Sequence, residues 1–216
     1  EGNYLNGKKD GYWIERDVVI KEVGKFDGVK NLEKGNYKFG LREGRWELHL
    51  EDGCSIPSPN KPKTIDDVGT DEITFSDYLE IMNGFSQTLI ENDCYVVGNY
   101  INGKREGEWI YYYLFSNEVS NNKVLSKGLF ENGYKNGSWE YYHLNQNLYA
   151  KGFFNFGYMN GPWEYFYENG NLKVKGNYNN ENKWDGAWDF FNNDGTFDRV
   201  EIWKDGNFIT SEIIVL

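Results

Sequence analysis

Alanine is nearly missing from this chain of 216 residues, with Ala150 and Ala187 its two examples. Because the best helix former is scarce and 18% of the residues are aromatic, β structure is favoured over long helices. Histidine and cysteine are equally sparse, at two each, and they lack the paired spacing of a zinc-type site, so no metal and no cofactor is expected. No apolar run approaches the roughly 18 residues of a spanning helix, and residues 1–20 lack the basic, apolar, small-residue order of a secretion signal. A soluble chain is expected. The compartment stays open: the cytoplasm is favoured, and because the chain opens on Glu1 rather than Met, the periplasm or secretion applies if a leader preceded Glu1. Positive charge is also short: 23 Lys and Arg stand against 34 Asp and Glu, a net charge of −11. Nucleic acid and an anionic membrane surface both need a basic footprint, so neither is expected as the main ligand. A cationic partner is easier to accommodate.

Glycine and tryptophan are abundant, and they recur in order. Gly98-Asn99-Tyr100-Ile101-Asn102-Gly103 runs on to Gly107 and Trp109, and Gly128-Leu129-Phe130-Glu131-Asn132-Gly133 runs on to Gly137 and Trp139. Further copies open at Gly152 (to Trp163), Gly2 (to Trp13), Gly35 (to Trp46) and Gly176 (to Trp188). In five copies the first Gly and the Trp are 11 residues apart, and in the Gly176 copy they are 12 apart. The tightest period is 24 residues, from Gly128 to Gly152 and again to Gly176. Val200 to Phe208, with Trp203 and Asp205-Gly206, reads as a decayed terminal copy of the kind that caps a solenoid.

Each copy carries two strand signals separated by turns. After Trp163 come Glu164-Tyr165-Phe166-Tyr167, then Asn169-Gly170, then Leu172 to Tyr178. Asn-Gly supplies the positive φ values of tight hairpins, so the pattern predicts one hairpin per copy and an elongated antiparallel meander about 60 Å long. Strand alternation puts Trp109 with Tyr111, Trp139 with Tyr141, Trp163 with Tyr165, and Trp188 with Phe190 on one face, forming an aromatic ladder. The other face receives the residue after the Trp, acidic in Glu47, Glu140, Glu164 and Asp189, and is expected to be amphipathic and negative.

The unit G-x-[YF]-x-x-G-x-x-x-G-x-W-x-x-[YF], with its Asn-Gly turns, resembles the MORN repeat, and more closely the bacterial variant of antitoxin-like proteins. The resemblance covers about residues 2–50 and 98–208. It implies a β-hairpin repeat fold and partner recognition, and it carries no catalytic motif. The chain departs from the family in the tract 53–97 and in the longer spacing between the first copies.

The expected organisation is therefore N-terminal repeats over 1–52, an insertion over 53–97, C-terminal repeats over 98–208 and an edge strand or cap over 209–216. Within the insertion, Tyr78, Met82, Phe85 and Leu89 fall at helical spacing behind a Ser76 cap, which predicts an amphipathic helix over about 76–92 that either covers the sheet or meets a partner. Cys54 and Cys94 stand at the two ends of this tract. They are either a disulfide, worth about 3 to 4 kcal/mol in the loop-entropy account, or two free thiols.

Catalysis finds little support in these residues. His49 and His143 lie at different offsets from their tryptophans, the glycines recur without the following helix of a phosphate cradle, and no enzyme is expected. The candidate binding residues are the rings of Trp109, Tyr111, Trp139, Tyr141, Trp163, Tyr165 and Trp188 with the carboxylates of Glu140, Glu164 and Asp189. Such a surface suits a basic protein, and toxin neutralisation is the first function expected of it. An envelope protein gripping glycan, choline or phospholipid, and a structural scaffold, are the alternatives. The partner's identity and the oligomeric state stay open.

Overall fold

The computed structural model describes residues 2–22, 25–50, 94–113 and 123–212, with backbone alone for 16–22, 25–32, 49, 50 and 94. Its described part is all β. Fourteen strands run in chain order: β1 (Asn3–Leu5), β2 (Lys8–Glu22), β3 (Lys25–Lys38), β4 (Leu41–Leu50), β5 (Cys94–Ile101), β6 (Lys104–Tyr113), β7 (Val124–Glu131), β8 (Tyr134–Tyr142), β9 (Leu148–Asn155), β10 (Tyr158–Phe166), β11 (Leu172–Tyr178), β12 (Trp184–Phe191), β13 (Phe197–Lys204) and β14 (Asn207–Glu212). Each strand pairs with its neighbour in sequence, so the order in the sheet is the order in the chain. This is the antiparallel hairpin meander expected from the repeat. The helix expected over 76–92 and the Cys54–Cys94 pairing lie outside the described residues.

The turns explain the strand order. Asn6-Gly7, Asn102-Gly103 and Asn132-Gly133 have positive φ at both central positions, the geometry that matches the twist of two joined strands. At the opposite end of the hairpins, Tyr167–Asn171 closes a longer loop through the Tyr167 amide to the Asn171 carbonyl (2.8 Å) and the Gly170 amide to the Tyr167 carbonyl (2.9 Å). Register shifts beside Tyr141/Tyr142, Tyr165/Phe166 and Phe190/Phe191 leave Tyr149, Lys173 and Asp198 as single extra residues, which bends the strand at the same place in successive copies. Across residues 51–93 the repeat resumes in register: β4 pairs with β5, and Trp46 faces Gly98 as Trp13 faces Gly35.

The chain forms two compact units, one built on β1–β6 and one on β8–β14 with Leu125–Leu129 of β7. In the first, the core is the alternating series Trp13, Tyr37, Trp46, Tyr100 and Trp109, with neighbouring rings edge to face at 5.0 to 6.2 Å. In the second, Trp139, Phe154, Trp163, Tyr178 and Trp188 repeat the arrangement at 5.2 to 6.0 Å. Edge-to-face contact sets the positive ring rim against a negative ring face and adds about 1 kcal/mol per pair to the area term.

Candidate functional site

Glycine opens every copy for a spatial reason. A Cβ on Gly152 would overlap the Trp163 indole, and the same holds for Gly2 with Trp13, Gly35 with Trp46, Gly98 with Trp109, Gly128 with Trp139 and Gly176 with Trp188. Each indole therefore lies flat across bare backbone. Lying there, its N–H reaches the carbonyl one residue beyond the glycine: Trp163 Nε1 donates to Phe153 O (3.1 Å), Trp139 to Leu129 O (3.0 Å) and Trp46 to Asn36 O (3.1 Å). Two indoles depart from this: Trp109, in a copy of ordinary length, and Trp188, which stacks on Trp184 at 3.8 Å in the copy one residue longer, have buried N–H groups with no acceptor among the described residues.

The outward side of this ladder carries the protein's own cations. Arg42 sits over Trp46 (4.6 Å) and Tyr100 (5.3 Å), Arg105 over Trp109 (4.7 Å) and Phe130 (5.2 Å), and Lys135 over Trp139 (4.4 Å) and Phe154 (5.1 Å). The seven rings named as candidate binding residues, Trp109, Tyr111, Trp139, Tyr141, Trp163, Tyr165 and Trp188, are all at most 5% exposed. They are core, and a partner meets other side chains.

The opposite face carries the three candidate carboxylates, and there the sign pattern differs from expectation. Glu140 pairs with Lys127 (3.1 Å), Glu164 with Lys151 (2.8 Å) and Asp189 with Lys175 (3.3 Å). The register also sets Lys151 beside Glu140 and Lys175 beside Glu164. The row across β7 to β12 therefore reads Lys127, Glu140, Lys151, Glu164, Lys175, Asp189, a ladder of alternating charge rather than a negative stripe. Its side chains are 32 to 48% exposed. Tyr142 donates to Glu140 at 2.5 Å, and this bond, with Lys127 beside it, holds the carboxyl below its usual range. In the first unit Lys34 and Glu47 repeat the pair, and burial first, with the hydrogen bond to Glu47 next, pushes the Tyr95 hydroxyl upward.

Two apolar rows flank the charge ladder on this face. On one side are the half-buried rings of Tyr142, Phe166 and Phe191, beneath Lys127 (5.6 Å), Lys151 (5.7 Å) and Lys175 (5.9 Å). On the other side, toward the tight turns, Leu129, Tyr134, Phe153 and Tyr158 are 47 to 60% exposed, and Phe156 is 61% exposed in the turn itself. Phe156 has φ 47°, as Phe39 has φ 53° in the equivalent turn of the first unit. A bulky residue in the left-handed region costs about 1 to 2 kcal/mol, and Asn occupies this turn position at Asn6, Asn102 and Asn132. Two phenyl rings are held at turn tips against local preference.

His143 is buried, its Nε2 lies 3.0 Å from Phe166 O, and its ring meets Tyr149 edge to face; burial pushes its pKa down. The His49 side chain lies outside the described residues. A shallow cleft lined by Asn145, Tyr167, Glu168, Asn169 and Asn193 is spanned by amide bonds to backbone, such as Asn147 Nδ2 to Glu168 O (2.6 Å) and Asn169 Nδ2 to Asn193 O (2.7 Å). Among the described residues, no group of three or more His, Cys, Asp or Glu is placed to hold a metal ion.

Set against known proteins, the chain matches no family model and no curated sequence.

The lysines of the ladder were missed at the sequence level, although they leave a signal. Lys34, Lys127, Lys151 and Lys175 each immediately precede a unit-opening glycine, while the acids were read from the position after the Trp. A period-2 count run from both landmarks places the two sets on one face. With the ladder paired, the net charge lies elsewhere: residues 51–93 hold ten Asp and Glu against two Lys, a net −8, which leaves −3 of the total −11 for the other 173 residues.

Proposed function

We propose that the chain is a non-catalytic MORN-type repeat protein that captures a basic protein, most specifically a toxin domain that it neutralises. The reading rests on one observation, the concentration of −8 of the net −11 charge within residues 51–93. Charge gathered in one tract steers a basic partner and raises its on-rate, whereas the paired ladder on the sheet offers either sign little. The repeats then act as the frame that holds the acidic tract at both its ends. Glycan, choline and phospholipid fit less well, because they would need open ring faces and the ladder rings are buried, lying on Gly backbone and, at Trp46, Trp109 and Trp139, under cations as well.

The decisive experiment is affinity capture from the source organism, read with the adjacent genes and followed by co-expression. The expected result is a one-to-one complex with a basic protein whose toxicity the chain suppresses. Binding should weaken steeply with salt and fall when acids of 51–93 are changed to Asn and Gln. Recovery of polysaccharide alone, or binding indifferent to those substitutions, would overturn the proposal.

A further inference from the structure

The second unit exposes a face that no part of the proposed capture mechanism uses. It consists of the six-rung charge ladder between two apolar rows. The row at the turn tips, five side chains about half exposed, presents roughly 500 Å² of mostly apolar surface, within the range of the largest patch on a monomer. That is most of the roughly 800 Å² each partner contributes to a stable interface.

The order of charges selects the occupant. The ladder alternates in sign and has an even number of rungs, from Lys127 on β7 to Asp189 on β12. A two-fold axis parallel to the strands, midway between β9 and β10 and in the plane of contact, reverses the rung order of a facing copy. It lays Lys127 over Asp189, Glu140 over Lys175 and Lys151 over Glu164, so every lysine meets an acid. The same operation keeps the turn-tip side on the turn-tip side, so Phe156 meets its own counterpart, and Phe153 on β9 meets Tyr158 on β10 of the other copy. One axis thus satisfies the charges and the three turn-tip rings nearest it, while Leu129 on β7 and Tyr134 on β8 lie over β12 and β11 of the other copy. A uniformly basic or acidic partner would find half the rungs repulsive.

We propose that this face is the interface of a homodimer, formed by two copies packed sheet on sheet through the second unit. Aligned packing of two such faces is a standard geometry, and a two-fold contact is self-complementary by construction. The phenyl ring at the strained turn tip of this unit also finds a reason, because Phe156 gains in the dimer what it loses in the backbone.

Sedimentation velocity on the full chain from about 1 to about 100 μM tests this over the range of ordinary interfaces. A dimer is expected. Glu164→Lys places lysine over the partner's Lys151 at the axis and should weaken association at least about tenfold. Because that change also disturbs the chain's own ladder, F156N with Y158S is the second variant. It removes apolar surface while relaxing the turn, so it should give folded monomer, with unchanged far-ultraviolet circular dichroism and tryptophan emission. A monomer at every concentration would overturn the proposal and leave the face to a different partner, and so would a dimer that ignores both variants. Neither result bears on capture of a basic protein through 51–93.

Discussion

In the copy opened by Gly152, the position carries no side chain and an indole lies across it; in the terminal copy, the equivalent position is Glu201, and its own side chain occupies the space. Trp188 pairs with Glu201 in register as Trp163 pairs with Gly176. The Glu201 carboxylate is 2% exposed and takes bonds from Arg199 Nε (2.8 Å) and Trp203 Nε1 (3.2 Å). A repeat array must end without presenting an empty slot, and here a charged group with two donors closes it. The difference shows that glycine is required inside the array for room beneath a neighbour's ring, and that where the ring is absent the requirement disappears.

Breaking the interior member should have the largest effect. Gly152→Ala drives a Cβ into the rigid Trp163 rings, and backbone must separate to admit it. A loss of at least about 3 kcal/mol is expected, read as a lower urea midpoint. The mirror change, Glu201→Gly, supplies the interior residue where no indole follows. It leaves the buried Trp203 N–H without its acceptor, while Arg199 keeps Asp198 as a partner, and should cost about 2 kcal/mol. Glu201→Gln, which keeps the shape and one acceptor, should cost less than Glu201→Gly. Equal costs for the two would refute the view that the carboxylate closes the array.

The turns sharpen the same comparison between copies. Asn132-Gly133 and Phe156-Gly157 adopt one geometry, but only the first uses a residue suited to it. Phe156→Asn should therefore stabilise the monomer by about 1 kcal/mol, visible as a higher Tm, while Asn132→Phe should cost a similar amount. A lower Tm for Phe156→Asn, measured under conditions where the chain is monomeric, would show that the ring has intramolecular contacts that outweigh its backbone strain.

Much of this was legible in advance, for reasons visible in particular residues. The 11-residue spacing from Gly128 to Trp139 fixes the hairpin because both the overlap and the turn depend on short-range geometry. The strand order follows, since each ring needs the glycine of its own copy and the aromatic residue of the next. What was not legible depended on cross-strand pairing between residues read from different landmarks, as with Lys151 and Glu164. Phe39 and Phe156 escaped notice because turn signals are sought in Gly, Asn and Asp, and phenylalanine in the left-handed region contradicts the local preference that such a search uses. Exposure of Trp139 could not be read from alternation, which assigns a face and says nothing of a cation such as Lys135 lying over it.

The smallest effect concerns the ladder, where an interior rung can be set against the last one. Glu140 has Lys127 in a salt bridge, Lys151 opposite in register and Tyr142 donating to it, whereas Asp189 pairs with Lys175 on one side and faces Val200 on the other. Glu140→Gln should therefore cost more than Asp189→Asn at pH 7, though below about 1 kcal/mol because the group is well exposed to solvent. The pH dependence has a defined sign. The Glu140 pKa is lowered in the folded chain, by the Tyr142 bond first and Lys127 next, so the unfolded chain takes up its proton at higher pH. The stabilisation is full above the unfolded value, about 4.3, and disappears as pH falls through the folded one. Urea midpoints of wild type and Glu140→Gln should thus differ by a constant amount from pH 7 to about pH 5 and converge as pH falls through the folded pKa. A difference that persists into acid would assign the cost to lost shape or hydrogen bonding in place of charge, and would make the ladder's complementarity across the two-fold axis a matter of packing.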